Sequence, residues 1–153
     1  MDPLAFTLRP ASAADAAFIY DVNEITLKPH VEAMARKWAT ARMREKCDND
    51  AIDPNTRIIQ VDGIDCGVYA LAVSPTEIWL HAMLLLPTFQ RRGIGRRLLE
   101  RALAEAKTRG IPMRLIVMRA NPAKAFYERY GFTVSEETDE YYVMSMDLES
   151  QKS

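Results

Sequence analysis

A loop with two glycines, placed between an apolar stretch and a helical stretch, is the first indication of chemistry in this sequence. The apolar run, residues 78–86, is closed by Pro87, and a strongly helical pattern covers residues 96–109. Gly93 and Gly95 leave the backbone between them without Cβ atoms, so that a ligand can approach the main chain closely. Unpaired N–H groups at the start of the helix and the positive end of its dipole favour a negatively charged ligand. The sequence therefore predicts an anion site at this loop.

Three arginines in or beside the loop indicate that the anion is a phosphate group. Arg91, Arg92 and Arg96 supply guanidinium donors that suit phosphate oxygens, and the predicted ligand is a diphosphate. Two common phosphate-binding sequences are excluded, because the third glycine of a dinucleotide fingerprint is missing after Gly95 and no Gly-Lys-Ser/Thr sequence follows. Arg97 and Arg101 of this helix are expected to pair with Glu100 and Glu105 or to face water.

A second segment, residues 121–132, is predicted to form a short helix with both ends marked. Asn121 suits the N-cap, Pro122 the first helical position, and Gly131 the left-handed residue beyond the end. Tyr127 lies on this helix and can serve either as a core residue or as a functional one. It shares one helical face with Ala123, Phe126 and Tyr130.

Together the two segments resemble the sequence pattern of the GNAT superfamily of N-acetyltransferases, which bind acyl-coenzyme A. Residues 90–95 follow Gln-x-x-Gly-x-Gly, which is similar to the pyrophosphate loop of that family, and residues 121–132 look like the motif after its fifth strand. The resemblance implies acetyl-CoA as co-substrate and no metal. It also implies that the coenzyme is bound by Met83, Leu84, Leu85, Gln90, Arg91, Arg92, Gly93, Ile94, Gly95, Arg96, Asn121 and Tyr127.

The same resemblance implies direct transfer of an acetyl group from the coenzyme thioester to an amine within a ternary complex. Backbone N–H groups late in the fourth strand, at about Met83, Leu84 and Leu85, are then expected to donate hydrogen bonds to the thioester oxygen, where negative charge develops. Asn121 is expected to contact the coenzyme arm. Tyr127 is expected beside the sulfur as the general acid, since a phenol with an ordinary pKa of about 10 stays protonated at neutral pH.

The general base is left open by the sequence. Some members of the family carry a glutamate on the fourth strand, but Trp79 occupies that position here. His81 points to the same side of the strand by alternation, and it resembles a histidine that arylalkylamine members use. An imidazole can accept a proton near neutral pH. The catalytic candidate is therefore His81, with Glu77, water and a purely structural role for the histidine as alternatives.

Composition and charge exclude several classes of protein. The length of 153 residues predicts one domain, residues 1–149, followed by a flexible tail, residues 150–153. A formal net charge of −1 argues against a dedicated nucleic-acid binder. No apolar run is long enough for a membrane span, and the N-terminus lacks a secretory signal, so a cytoplasmic location is expected. Cys47 and Cys66 lack the spacing of metal ligands and are expected to be free thiols.

The order of apolar patterns and turn residues predicts an α/β fold. We expect a single-domain, GNAT-like fold with a mixed, mostly antiparallel twisted sheet of about six to seven strands, flanked by about four helices. A loop around residues 26–29 separates the first two helices, and the strand at 113–118 is expected to be covered on both faces. The predicted strands are residues 6–9, 56–61, 64–73, 78–86, 113–118, 133–138 and 141–148. The predicted helices begin at residue 12 or 13, cover 31–46 and 96–109, and follow Asn121.

The sequence thus predicts an N-acetyltransferase that transfers acetyl from acetyl-CoA to a primary amine of a small molecule or peptide. A non-catalytic acyl-CoA-binding sensor or scaffold is one alternative, and a small nucleic-acid-binding module that uses the arginines of residues 91–101 is another. We expect no nucleic-acid or membrane partner. The resemblance to the family leaves a homodimer open, since members of that family often form one. Residues 26–31 and 139–142 are expected to shape the acceptor site. The sequence leaves open the acceptor, the length of the acyl chain and the oligomeric state.

Overall fold

The structure, a computed structural model, describes residues 4–147. The predicted tail at 150–153 and Leu148, the predicted end of the last strand, lie outside this range. Within it, one seven-stranded sheet is flanked by four α-helices and two 3-10 turns. None of the helices in residues 4–147 combines the length and apolar character that crossing a membrane would require.

The elements follow the predicted order. The strands are β1 (Thr7–Pro10), β2 (Thr56–Val61), β3 (Ile64–Val73), β4 (Ile78–Leu85), β5 (Met113–Met118), β6 (Thr133–Glu137) and β7 (Tyr141–Met146). The helices are α1 (Ala16–Ala33), α2 (Thr40–Ile52), α3 (Ile94–Arg109) and α4 (Ala123–Arg129). The 3-10 turns are Ala13–Asp15 and Pro87–Phe89.

The sheet has the strand order β1-β2-β3-β4-β5-β7-β6, and β4 with β5 is its one parallel pair within residues 4–147. This confirms the predicted α/β class and the mixed, mostly antiparallel sheet. The hairpin between β2 and β3 turns at Asp62 and Gly63, whose φ angles are +52° and +77°. Two successive left-handed residues match the right-handed twist of the flanking strands.

The parallel pair β4–β5 separates after a short stretch. Its register joins Ile78 to Met113, Trp79 to Arg114 and Leu80 to Leu115. Beyond these pairs β4 continues to its end without a partner on that side, while β5 continues in its pairing with β7. We call the resulting opening between the last residues of β4 and of β5 the strand gap.

A β-bulge at His81 changes which side chains of β4 face each layer. Ala70 of β3 pairs with Ala82, but Leu71 pairs with Leu80, so His81 is an extra residue in β4. The bulge shifts the alternation by one position. Leu80 before it and Met83 after it therefore belong to the same hydrophobic cluster, although they are an odd number of residues apart.

A hydrophobic layer lies on each face of the sheet. Helices α3 and α4 pack on one face, in a cluster that includes Leu98, Leu99 and Phe132. Helices α1 and α2 pack on the other face, where Ile19 and Val22 meet the strands. That second layer reaches β2, β3 and β4 through Ile58, Val68, Ala82 and Leu84. Cys47 and Cys66 are buried free thiols, as expected, and burial raises the pKa of Cys47 to about 11.

Helix α1 is longer than predicted. The expected loop around residues 26–29 is wrong, because the helix continues through Pro29 to Ala33, and α2 begins only at Thr40. A proline removes the N–H that would bond the carbonyl of Ile25. Ile25 is 48% exposed, so water can satisfy that carbonyl and the helix tolerates the proline.

The prediction that β5 is covered on both faces is also wrong. Met113, Leu115 and Val117 are buried on the face that carries α3 and α4. On the opposite face Ile116 is 55% exposed. The layer formed by α1 and α2 ends at β4, so this side of β5 remains open. An apolar strand face is thereby left accessible beside the strand gap.

We predict that Gly67→Ala destabilises the fold by about 2 kcal/mol or more, because overpacking a tight site forces the backbone to shift. A Cβ at Gly67 would overlap the carbonyl oxygen of Leu84 and lie 2.9 Å from Leu85 Cδ2. Chemical denaturation monitored by circular dichroism measures the loss. Gly95→Ala is the matched control, since its Cβ would meet nothing closer than Met83 Cε at 3.7 Å. Equal stability of the two variants contradicts the prediction.

Candidate active site

The first turn of α3 presents free backbone amides. The helix begins at Ile94, two residues before the predicted start, and Gly93 precedes it in the left-handed conformation with φ +88° and ψ −2°. No side chain caps this end. The N–H groups of Ile94, Gly95 and Arg96 have no acceptor within the helix, because the first intrahelical bond runs from the Arg97 N–H to the Gly93 carbonyl, at 3.1 Å. Three amides and the positive end of the helix dipole thus face outward together.

Glycine at position 95 is not required by the protein's own packing. A Cβ there would lie 3.7 Å from Met83 Cε, which is an ordinary contact, and the residue does not have a positive φ. Alanine would therefore fit and would favour the helix by about 0.5–1 kcal/mol. The space above the bare backbone is what a closely approaching ligand needs. The same contact shows that this turn lies directly beside the end of β4.

The loop before α3 is fixed by backbone geometry and by one side-chain bond. Arg91 adopts a left-handed conformation with φ +61°, which is uncommon for a residue with a Cβ. Gln90 Nε2 donates to the Leu85 carbonyl at 2.8 Å, so this side chain attaches the loop to the end of β4. The side chains of Arg91 and Arg92 are exposed beside the free amides. Arg96 is also exposed, and it lies 3.6 Å from Glu100.

Arg97 and Arg101 of α3 make contacts that the sequence did not predict, although Arg101 is exposed to water as expected. The guanidinium carbons of Arg97 and Arg101 lie 4.7 and 4.8 Å from the ring centroid of Phe6. Arg97 also donates a hydrogen bond to the Leu4 carbonyl. These residues attach the N-terminal segment to α3 through cation–π contacts, which the charge pattern alone did not indicate.

The last residues of β4 direct alternate amides towards the strand gap. The Leu86 N–H donates to the Cys66 carbonyl at 2.9 Å, so the polar backbone groups of Leu86 and Leu84 face β3 by the alternation of an antiparallel ladder. Those of Met83 and Leu85 face the opposite side, where β5 has separated. Of the three predicted donors, the N–H groups of Met83 and Leu85 therefore face the strand gap, whereas the N–H group of Leu84 faces β3.

Tyr127 lies in the cluster that lines the gap on the α3 and α4 side. It is 8% exposed and packs with Met83, Leu85 and Phe132. Among residues 4–147 no group hydrogen-bonds its hydroxyl. Burial raises the pKa of Tyr127 to about 12, because an apolar environment penalises the phenolate. A neutral hydroxyl without a protein partner is therefore available to a ligand.

Asn121 accepts a hydrogen bond from the first turn of α4, nearly as predicted. Its Oδ1 accepts a hydrogen bond from the Ala123 N–H at 2.9 Å, and the helix begins at Ala123 rather than at Pro122. The side-chain NH₂ of Asn121 has no partner in the described part of the chain. Gly131 follows the helix with φ +97°, as the sequence predicts.

His81 lies on the other face of the sheet. Its ring is parallel to that of Trp79, with centroids 6.1 Å apart and an interplanar angle of 7°. The side chain is exposed. Glu77, the alternative base, accepts hydrogen bonds from Trp79 Nε1 and, at 3.2 Å, from Arg114 Nε. The structure thus leaves His81 accessible and holds the Glu77 carboxylate between two donors.

A cleft of about 640 Å³ opens on the same face as His81, and sequence reasoning missed most of its residues. It lies between the connection from α1 to α2 and the open side of β5 and β7. Its walls and floor are formed by Val31, Met34, Ala35, Arg36, Lys37, Arg42, Ile116, Met118, Glu140 and Tyr141. The predicted segments 26–31 and 139–142 each supply part of this lining. No local sequence signal marks the remaining residues, because the exposure of Ile116 appears only once the helices are packed on the sheet.

These features fit a coenzyme A molecule. The free amides and the bare backbone at Gly95 suit its diphosphate, and the outward amides of Met83 and Leu85 suit the carbonyl oxygen of the thioester at the end of its arm. The Tyr127 hydroxyl lies in the adjacent apolar cluster, where the thioester end of the coenzyme would be placed. The strand gap is bordered by the end of β5, and Ile116 and Met118 of that strand also line the cleft on the other face.

Comparison with known proteins agrees with this geometry. The family model described as an acetyltransferase (GNAT) domain matches residues 54–134. The [ribosomal protein bS18]-alanine N-acetyltransferase of Salmonella typhimurium is 43% identical over 68 residues, which cover 43% of this chain and 46% of that protein. The match thus spans about half the length of this curated relative.

Solved structures show the same fold over nearly the whole chain. The PaiA N-acetyltransferase from Thermoplasma acidophilum, in complex with coenzyme A, has a TM-score of 0.75 and 22% identity, covering 94% of this chain and 99% of that chain. The ribosomal-protein-S18-alanine N-acetyltransferase from Escherichia coli has a TM-score of 0.66 and 21% identity, with 93% of each chain covered. At these identities the likeness concerns the fold alone.

We predict that Gly95→Ala weakens coenzyme A binding by at least about tenfold, whereas the unliganded protein keeps or gains about 0.5–1 kcal/mol of stability. The methyl group occupies the space that the diphosphate needs, but it fits the unliganded helix. Isothermal titration calorimetry with coenzyme A and thermal unfolding without it measure the two effects. Unchanged affinity would show that the ligand does not approach this backbone.

Proposed function

Because the chain belongs to the family of GNAT acetyltransferases, we propose that it is an N-acetyltransferase that transfers an acetyl group from acetyl-CoA to a primary amine. The observation that carries the proposal is the strand gap, placed beside the uncapped first turn of α3. Bound acetyl-CoA supplies the activated acyl thioester. All other tasks fall to groups that the chain positions at the two sides of the gap.

Backbone amides stabilise the charge that develops on the acyl oxygen. The N–H groups of Met83 and Leu85 face the gap, and β-sheet pairing on their other side holds them rigidly. Preorganised donors of this kind are worth roughly 2.7–4 kcal/mol each in acyl transfer. The side chains at these positions can remain hydrophobic, since the main chain provides the hydrogen bonds.

Tyr127 holds the proton that the leaving sulfur requires. Its raised pKa keeps the hydroxyl protonated at neutral pH. A phenol with such a high pKa is a weak acid towards a thiolate in water, whose conjugate acid has a pKa of about 8.5. The apolar cluster around Tyr127 penalises a thiolate as well, which raises the basicity of the sulfur and reduces the mismatch. Tyr127 thus donates a hydrogen bond first and the proton as the sulfur leaves.

We assign the general base to His81. The bulge places it in β4 next to the point where β4 and β5 separate, on the face that carries the cleft. Glu77 precedes the strand, and its two oxygens already accept from Trp79 and Arg114, so the carboxylate is held away from an entering amine. An amine that enters from the cleft meets His81 on one face, while the sulfur meets Tyr127 on the other. The strand gap allows the amine to reach the thioester between the two faces of the sheet.

The acceptor enters through the cleft, and a polypeptide N-terminus is the amine that we favour. Two similar proteins carry names that describe them as N-acetyltransferases of an alanine in a ribosomal protein, so their acceptor is a polypeptide. The cleft is open and large enough for several residues, at about 640 Å³. We infer that residues Val31, Met118 and Tyr141 contact the first acceptor residues.

Calorimetric titration of acetyl-CoA, followed by thiol release in the presence of pooled peptides and small amines, tests the proposed function. Heat on binding and amine-dependent thiol release support it. Binding without release across the pool identifies a non-catalytic sensor or scaffold. Binding of nucleic acid that weakens steeply with salt and is unaffected by coenzyme A identifies the third alternative.

We predict that Tyr127→Phe lowers kcat about a hundredfold, in the range of general acid catalysis, and leaves coenzyme A affinity nearly unchanged. Stability should be maintained, because the lost hydroxyl has no partner in residues 4–147. Tyr130→Phe is the matched control, since its hydroxyl donates to Glu100 at 3.2 Å on the exposed side of the same helix. Single-turnover kinetics measures both. Equal rates for the two variants exclude the proposed role.

We also predict that His81→Gln lowers kcat/KM by about tenfold to a hundredfold at neutral pH, with the loss reduced at alkaline pH where free amine is abundant. The comparison is Glu77→Gln, which should weaken the bonds to Trp79 and Arg114 and so lower stability, yet leave turnover of the folded protein intact. A pH profile of kcat/KM for both variants distinguishes them. The opposite pattern would assign the base to Glu77.

A further inference from the structure

The cleft on the His81 face carries an excess of positive charge. Among the described residues that line it, Arg36, Lys37 and Arg42 are cationic and Glu140 is the one anion. The whole chain is nearly balanced, with 20 Lys and Arg against 21 Asp and Glu. A local excess of cations in a balanced protein is therefore a property of this cleft and not of the overall charge.

Most of this positive charge is not neutralised by the protein. Arg36 pairs with Glu140 at 3.0 Å, but both side chains are about half exposed, at 45% and 53%, so the pair is weak and easily exchanged. Lys37 and Arg42 have no ion-pair or hydrogen-bond partner within residues 4–147. Both are exposed at the rim of the cleft. Their charges are available to a ligand.

Arg42 does not stabilise the helix in which it lies. It lies in the first turn of α2, where no acidic residue is present and where the helix dipole disfavours a cation. Glutamate at this position would suit the helix better. A cation that the local structure disfavours, at the edge of a cleft, points to a ligand with negative charge.

The floor of the cleft is apolar. Ile116 and Met118 of β5 and Met34 at the end of α1 line it, and Ile116 is 55% exposed. An amine that carries only charged groups would make no favourable contact with this apolar floor. The occupant that fits both the floor and the rim has an apolar part near the amine and carboxylates further along.

We propose that the acceptor is the N-terminus of an acidic polypeptide, with an apolar first residue on the floor formed by Ile116 and Met118 and with carboxylates that Arg36, Lys37 and Arg42 bind at the rim. This proposal rests on the proposed acetyltransferase function. The ion pair of Arg36 with Glu140 opens as an acceptor carboxylate replaces Glu140. The amino group then points along the cleft towards His81 and the strand gap.

The test uses fluorescein-labelled hexapeptides that begin with alanine and carry three aspartates, three asparagines or three lysines at positions 3 to 5. Fluorescence anisotropy with the coenzyme A-saturated protein measures binding, and thiol release from acetyl-CoA with the unlabelled peptides measures turnover. We expect the aspartate peptide to bind about tenfold more tightly than the asparagine peptide, and this difference to shrink as salt screens the charges. The lysine peptide should bind most weakly.

Arg42→Glu and Lys107→Glu form a matched pair of variants, because each changes the net charge by the same amount. Lys107 lies on α3, away from the cleft lining, and has no partner in the described residues. Arg42→Glu should abolish or reverse the preference for the aspartate peptide without loss of thermal stability. Lys107→Glu should keep the preference.

The outcomes separate this proposal from the proposed function. If calorimetry shows no coenzyme A binding, the acetyltransferase function fails whatever the peptides do. If coenzyme A binds but the three peptides bind and react equally, or the lysine peptide is preferred, the acidic acceptor is wrong and the enzyme assignment stands. Turnover of free aspartate or glutamate in place of the aspartate peptide likewise overturns the polypeptide acceptor. An equal loss of preference in Lys107→Glu shows that overall charge, not the cleft, is responsible.

Discussion

The active-site geometry depends on the point at which two parallel strands separate. β4 and β5 share a register over three residue pairs and then separate, so the end of β4 keeps a row of amides with no strand to receive them. Backbone amides without partners are costly inside a protein, and they are tolerated here because the opening is accessible. Every element of the proposed chemistry is placed relative to this opening. α3 starts beside it, Tyr127 lines one of its faces, and the bulge at His81 lies at its edge.

Two features of the chain oppose local stability, and both lie where a ligand is proposed to bind. The first turn of α3 has neither a side-chain cap nor an acidic residue, and glycine occupies a position where alanine would fit. Helix α2 begins with an uncapped turn that contains Arg42. In each case a better helix former is compatible with the structure, and the weaker choice leaves positive potential beside the strand gap at α3 and at the rim of the cleft at α2. Departures from local preference at functional positions are the expected signature of a binding site.

The sequence predicts the fold and the backbone geometry of the loop before α3 better than the cleft on the His81 face, and the reason is physical. The turn at Asp62 and Gly63 and the left-handed Gly93 are local signals, because glycine and aspartate determine backbone geometry by themselves. Pro29 was misleading, since its cost depends on whether water reaches the carbonyl of Ile25. The open face of Ile116 depends on where the layer of α1 and α2 ends, which is a long-range property of the packing.

Because the start of α3 is uncapped, the stability of the folded chain also depends on the concentration of the ligand proposed for this site. A ligand that binds only the native state adds about 2.7 kcal/mol of stability when its concentration is a hundred times its dissociation constant. A coenzyme diphosphate bound to the amides of Ile94, Gly95 and Arg96, as proposed above, would therefore act as the missing cap. The unliganded protein would then unfold and be degraded faster, so that the abundance of the protein would follow the concentration of the proposed coenzyme.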